Sequence, residues 1–479
     1  MEDKLMLIAG EWVPASDGAT RESTNPATGE VLGRAPLATK EDVERALDAA
    51  QEGKKLWAAM TRSGRCDILR KAADIFDDHL EELAQMVTAE MGKPIGMARS
   101  EAAEIPTLLR LSASAAEMMN GETVIDQNAE GDAIGDLAFT KIEPLGVVAC
   151  IGPFNFPIST LTFKTAPALA AGNAIIIKAP SDVPLTVLRY AEILNEAGFP
   201  AGVVQALSGS GAKMGEWLVA TDKIDAVSFT GSTGVGSKLV EYSAPYFHHL
   251  LLEMGGNDPL VITDDADLEN AVEQSLCRMA NAGQICCITK RFIVHNSIKD
   301  AYLDALVKAV GGIKVGNPAD ESSMMGPLVN ERAARECVSQ VEQTVAAGGK
   351  LLCGGTAEGA FMAPTVIDCT KDLPIASDLE VFGPVWAVIG YDTDEEAIEI
   401  ANQSIFGLNG GVIAGTLERG MAIASKIESG TVVCNGEGSF RNPKHAFGGY
   451  KRSGVGREGI ADLMKEFTQR KTLVVRGIE

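Results

Sequence analysis

Gly146-Val-Val-Ala-Cys-Ile151-Gly-Pro-Phe-Asn155 is a short apolar run that stops at a glycine and a proline. A run of that length, rich in β-branched residues and bounded by turn formers, reads as a strand buried on both faces. The pattern repeats downstream at Ala174 to Ile177, Val203 to Leu207 and Ala226 to Phe229. Longer amphipathic stretches lie between these runs, Pro184 to Ala197 and Gly211 to Ala220. Strand and helix in alternation imply a parallel sheet with helices on both faces. The fold class is therefore α/β.

On the amino-terminal side, residues 41 to 120 show apolar positions at helical spacing, as in Asp67-Ile-Leu-Arg-Lys-Ala-Ala-Asp-Ile-Phe76. On the carboxyl side a second alternation begins near Leu260. It runs through Phe292-Ile-Val, a helix from Ile298 to Val310, Ala387-Val-Ile and a helix from Glu395 to Asn402. Gly411-Val-Ile, a helix from Leu417 to Ile427 and Thr431-Val-Val complete it, which predicts a second α/β domain. The polar segment Gly121 to Leu137 suits a projecting hairpin. The tail Lys471 to Arg476 reads as a lone strand that needs cover, which an oligomer partner would supply.

The chain has 479 residues, 46% hydrophobic and 22% charged, as expected of a globular protein with large cores. Its net charge of −23 disfavours nucleic acid and anionic membrane surfaces, both polyanions. There is no basic and apolar leader pattern, and no apolar run of about 18 residues that would span a bilayer. Nine scattered cysteines argue against a disulfide framework and for a reducing cytoplasm. The five histidines are dispersed, and neither His-Glu-x-x-His nor Cys-x-x-Cys occurs, so no metal is expected.

Three residue types point to chemistry. Asn281-Ala-Gly-Gln-Ile-Cys286-Cys287 puts thiols after a Gly-Gln pair, but spacing alone does not choose between Cys286 and Cys287. Glu253, after three leucines, reads as a carboxylate at the end of a buried strand. Burial raises its pKa toward the range of a general base, although a strand-end salt bridge is an equal reading. Asn155 follows a strand, where its amide can donate to an oxyanion; between two prolines a plain turn is the commoner case. A thiol, a base and a nearby nicotinamide together can oxidise an aldehyde through a thioester.

Two glycine-rich turns are candidate phosphate sites, Gly209-Ser-Gly211-Ala-Lys-Met-Gly215 and Thr230-Gly231-Ser232-Thr-Gly-Val-Gly236. Neither matches Gly-x-Gly-x-x-Gly, and ordinary strand-to-helix turns use the same residues. Lys178, ending Ile175-Ile-Ile, suits a ribose or phosphate contact or a surface strand cap.

Together and in this order these segments resemble the aldehyde dehydrogenase superfamily. The likeness runs from Ile8-Ala-Gly-Glu-Trp12 and Asn25-Pro-Ala-Thr-Gly29 to Phe447-Gly-Gly-Tyr450. It implies a Rossmann-like cofactor domain (residues 1–117 and 146–254), a second α/β catalytic domain (255–458) and a small β oligomerisation flap (118–145 and 459–479). The resemblance makes Cys286 the nucleophile, Glu253 the base and Asn155 the oxyanion donor. It implies that Lys178 and Ser181 hold the adenosine ribose. Ile151, Pro153, Gly211, Phe229, Gly231 and Ser232 would line the cofactor's path, and Glu380 and Phe382 would grip its nicotinamide end. The implied partners are a small aldehyde and a second copy of the chain, in a homodimer or homotetramer.

Departures from the family pattern sharpen the expectations. Family members that use NAD often carry a glutamate where Ser181 stands, so NADP is expected to be accepted, even preferred, alongside NAD. Relatives acting on succinate semialdehyde hold its carboxylate with arginines; Phe163 and Ala280 stand at the corresponding places, which favours a neutral or apolar aldehyde. Arg441 and His445 remain as anion contacts, with a solvated loop the simpler reading. Phe154 replaces a usual tryptophan. A CoA-acylating enzyme is the alternative reaction, and Glu253, which such relatives lack, argues against it. A semialdehyde dehydrogenase holding an anionic substrate on Arg441 is the alternative specificity.

Overall fold

A computed structural model describes residues 1–127 and 133–476 of the chain. Four helices come first, Lys40–Ala59, Arg62–Asp77, Leu80–Met91 and Ile95–Met118. The first is closed by a capping box, in which Thr39 Oγ1 accepts from the Asp42 N–H and the Asp42 carboxylate accepts from the Thr39 N–H. Such a cap stabilises a helix by about 1 kcal/mol.

An eight-stranded sheet follows. Across it lie Glu11–Val13, Met6–Ile8, Val204–Leu207, Ala174–Lys178, Val147–Ile151, Ala226–Thr230, His249–Glu253 and Gly454–Val455. The five inner strands from Val204 to Glu253 are parallel, and the outer ones antiparallel. The Val147–Ile151 and Ala174–Lys178 strands are buried at every position, which is why they read as unbroken apolar runs. In chain order the five parallel strands lie third, second, first, fourth, fifth. The direction reverses between Val147–Ile151 and Ala226–Thr230. At such a reversal the flanking helices lie on opposite faces, and a crevice opens beyond the carboxyl ends of the strands.

The register places five positions of interest along that rim. Lys178 pairs with Ile151, Ile151 with Phe229, and Thr230 with Glu253.

A seven-stranded sheet forms the second layer system, ordered Lys350–Cys353, Thr365–Cys369, Val385–Tyr391, Arg291–His295, Pro259–Ile262, Asn409–Ile413 and Thr431–Cys434. All its pairings are parallel except that of Lys350–Cys353. Each sheet has its own apolar core. The helix expected from Leu417 to Ile427 ends at Ala424, where the following residues turn toward the Thr431–Cys434 strand.

Thr123–Gln127 and Ala133–Pro144 pair antiparallel, and residues 128–132 between them lie outside the described residues. The tail strand is not alone. Thr468–Val475 pairs antiparallel with Ala133–Pro144, from Thr468 opposite Pro144 to Val475 opposite Leu137. No helix among the described residues is long and apolar enough to cross a membrane.

Candidate active site

The thiol segment is held in a turn that no regular element would give. A 3-10 stretch, Leu276–Gly283, ends with three residues at positive φ: Asn281 (48°), Ala282 (52°) and Gly283 (74°). Left-handed backbone costs free energy in Asn and Ala and persists only where surroundings enforce it. Here they do. The Asn155 side-chain amide donates to the Gln284 carbonyl at 2.8 Å, and the Asn281 amide donates to the Asn155 carbonyl at 3.2 Å. Gln284 in turn accepts the Val329 N–H at 2.9 Å. A Cβ on Gly283 would lie 2.2 Å from the Gly383 carbonyl oxygen, so only glycine lets the two backbones approach.

The turn separates the two cysteines. Cys286 faces a cleft lined also by Asn155, Glu380 and Phe382. Cys287 is only 6% exposed and packs with Ile285, Ile288, Leu408 and Phe447. A sulfhydryl hydrogen bond from Cys287, with Lys290 and Arg441 nearby, holds the Cys286 thiol below its ordinary range against the effect of burial. Cys287 is pushed well above it.

Glu253 ends its strand fully enclosed, and neither carboxylate oxygen has a hydrogen-bond partner among the described residues. Burial, then the neighbouring Glu458, raises its pKa well above the usual carboxylate range, and Cys286 lies within its field. Glu253 thus makes no strand-end salt bridge with any described residue.

The cleft has a volume of about 710 Å³ and follows the rim of the first sheet. Ile151, Pro153, Lys178, Ser181, Gly211, Phe229, Gly231, Ser232, Glu380 and Phe382 line it together with Asn155 and Cys286. Its features fit a dinucleotide. Ser232 caps the Thr233–Ser243 helix, whose amino end opens on the cleft. Thr230 Oγ1 is buried there without a partner among the described residues. Lys178 is no surface cap: it is 6% exposed, and burial lowers its pKa to about 8. No carboxylate of the described residues lies within ion-pair distance of its ammonium, and a buried cation left so is costly. Lys178 Nζ and Ser181 Oγ converge over Gly211, about where a ribose would lie. Phe154 meets Phe382 edge-on, with ring centroids 6.0 Å apart, and so keeps an aromatic wall.

Several residues of the site carry no local signature. Lys164 stands in the wholly buried helix Ser159–Ala171 and pairs with Glu458 at 3.0 Å, across 294 residues of sequence. Lys290 donates to the Cys286 carbonyl at 2.5 Å and to Asp258 at 3.1 Å, and lies 3.4 Å from Glu380. The lone lysine in Leu161-Thr-Phe-Lys164-Thr-Ala was the one available clue. Arg441 is not a solvated loop residue. Its guanidinium lies 4.2 Å over Phe163 and pairs with Glu458, leaving the side chain 25% exposed. His445 is exposed and tilts against Phe440 instead.

The family model described as "Aldehyde dehydrogenase family" matches residues 12–473. Solved structures superpose on nearly the whole chain. A Staphylococcus aureus betaine aldehyde dehydrogenase in complex with NAD+ is 34% identical with a TM-score of 0.96, covering 99% of this chain and 95% of that one. An aldehyde dehydrogenase of Brucella melitensis biovar abortus is also 34% identical, with a TM-score of 0.94 and coverage of 99% and 97%. An Escherichia coli NADP-dependent enzyme is 32% identical, with a TM-score of 0.94 and coverage of 99% and 98%.

Proposed function

The chain belongs to the aldehyde dehydrogenase family, and from that premise we propose that it oxidises an aldehyde to its carboxylic acid with NAD(P)+ through a thioester on Cys286. The observation that carries this reading is the convergence of Cys286, Asn155 and the cofactor-lining residues on one cleft, with the unpartnered carboxyl of Glu253 beside it.

The Cys286 thiolate adds to the carbonyl carbon. The oxyanion that forms is held by the Asn155 amide, which keeps one N–H free after donating to Gln284, and by the Cys286 backbone N–H. The nicotinamide, when bound, supplies the two-electron acceptor. Lys178 and Ser181 hold its adenosine ribose, Ser232 and the helix amino end its phosphates, and Glu380 and Phe382 its nicotinamide end. Glu253 then takes a proton from water, which attacks the thioester and frees the acid and the thiolate.

Ser181 brings no negative charge against a 2′-phosphate, and Lys178 stands beside it, so NADP is accepted as well as NAD. Residues 1–117 and 146–254 act as the cofactor domain and 255–458 as the catalytic domain. The segments 118–145 and 459–479 serve oligomerisation. In the last, Leu473, Val474 and Val475 stand exposed on an edge strand that a second copy would cover in a homodimer or homotetramer. Nine free thiols suit the cytoplasm.

The deciding experiment is rapid mixing of a Glu253→Gln variant with aldehyde and NAD+. A burst of about one reduced cofactor per site, followed by slow turnover, is expected. A variant with native steady-state rate and no burst would overturn the assignment.

A further inference from the structure

The strand that ends in Glu253 is covered on its outer edge by a returning segment of the chain. Gly454–Val455 pairs antiparallel with it, Gly454 opposite Glu253 and Val455 opposite Leu252. The Ser453 carbonyl accepts the Met254 N–H at 2.8 Å, and the Ser453 hydroxyl donates to the Gly255 carbonyl at 2.7 Å. The loop that carries this segment is tied at its neck. Phe447 and Glu458 exchange two backbone hydrogen bonds, each of 2.6 Å.

Gly448, the first residue inside that neck, faces the carboxyl group. A Cβ at this position would lie 2.8 Å from Glu253 Oε1, 2.9 Å from the Gly456 carbonyl oxygen and 3.0 Å from Arg457 Cδ. These distances fall short of the roughly 3.5 Å at which non-bonded heavy atoms attract. Its φ of 155° is also one that side chains rarely adopt. Gly454 stands near the same atom, its Cβ position 3.8 Å from Glu253 Oε1. Two glycines thus flank one carboxylate oxygen, and neither donates to it.

The space matters because of where the carboxyl stands. Met254 and Gly255 line the cleft, whereas Glu253, one residue earlier, is 3% exposed. A side chain at residue 448 would have to displace something. The Gly456 carbonyl is main chain, held close to the tied neck, while the Glu253 carboxyl turns about a broad terminal torsion. The carboxyl is therefore the group that gives way. A misplacement of about 1 Å slows a reaction by roughly a hundredfold.

We propose that Gly448 is a positioning residue for thioester hydrolysis: its missing side chain leaves the place in which the Glu253 carboxyl rests without a hydrogen-bond partner, set to take a proton from the attacking water. The inference deepens the reading of Glu253 as the base and rests on it. It concerns one half-reaction only. The atoms nearest the missing Cβ belong to Glu253, Gly456 and Arg457, not to Cys286 or Asn155, so acylation does not depend on this contact.

The test mixes Gly448→Ala with butyraldehyde and NAD+. Cofactor absorbance reads turnover, and the acid-quenched mass of the Cys286 peptide reads the acyl-enzyme. The variant is expected to acylate within about twofold of the native rate, to accumulate acyl-enzyme, and to turn over about tenfold or more slowly. Added to Glu253→Gln, the same substitution is expected to slow turnover no further, because the group it acts through is already disabled. Native turnover in Gly448→Ala, acylation slowed as much as hydrolysis, or equal slowing in both backgrounds would overturn the proposal. Should Gly448→Ala prove too unstable to assay, melting decides. Glu253→Ala clears the space, so Gly448→Ala is expected to lower Tm less in that background than in the native one, and an equal drop would overturn the proposal. Native turnover in Glu253→Gln alone would instead defeat the underlying reading of the base.

Discussion

The Lys290 ammonium donates to the carbonyl oxygen of Cys286 at 2.5 Å. The same ammonium reaches Asp258 and Glu380, so one buried cation ties the Cys286 turn to a carboxylate on the cleft wall. Lys290→Met is therefore expected to slow acylation and raise KM for the cofactor together. It should also raise the pH midpoint for alkylation of Cys286, because a cation that favours the thiolate is removed. Iodoacetamide labelling across pH reads the midpoint; an unmoved midpoint would assign Lys290 to packing alone.

As the proposed base, Glu253 works only when ionised, and burial holds its pKa above the usual carboxylate range. The rate of thioester hydrolysis should therefore rise with pH above that range and level off beyond the raised pKa. Glu253→Gln should remove the rise. The sign for stability is opposite. A carboxyl with a raised folded-state pKa favours the fold while neutral, and that contribution is lost as pH rises through the raised value. The Gln variant should therefore gain in Tm relative to the native protein as the pH increases; a gain that shrank instead would show Glu253 paired while ionised.

Gly283 combines a positive φ with contact against Gly383. Gly283→Ala has to move either the Cys286 turn or the segment carrying Phe382. A loss in kcat of about a hundredfold is expected from a displacement on the ångström scale, with little change in cofactor affinity for the adenosine end. Stopped-flow burst rates and fluorescence titration with the cofactor separate the two effects.

Ser181 places a hydroxyl, not a carboxylate, over Gly211 beside Lys178, and the neighbouring Asp182 pairs with Arg21. Ser181→Glu should lower kcat/KM for NADP by about tenfold or more relative to NAD, since the new charge would face the 2′-phosphate at short range. An unchanged ratio would mean that the 2′ position lies elsewhere.

Much of this was legible in the sequence for a physical reason. Val147–Ile151 and its neighbours are buried on both faces, so burial writes itself as unbroken apolar runs and the parallel sheet follows. Glu253 and Asn155 were readable because strand ends are where such a sheet presents side chains. The supporting charges were not. Lys164 finds Glu458 across 294 residues, and Lys290 finds Asp258 across 32, so no window of sequence holds either pair. Arg441 was misleading for the opposite reason: a polar loop suggests solvent, whereas here the guanidinium lies against the Phe163 and Phe447 rings. The tail strand's partner was missed because Ala133–Pro144 lies more than three hundred residues earlier, where neighbouring sequence says nothing about pairing.

The most direct measurement is peptide mass analysis of the Glu253→Gln variant, quenched in acid after mixing with aldehyde and NAD+. The account predicts an acyl group on the peptide's Cys286 and an unmodified Cys287. An acyl group on Cys287, or no acylated cysteine while reduced cofactor accumulates, would contradict it.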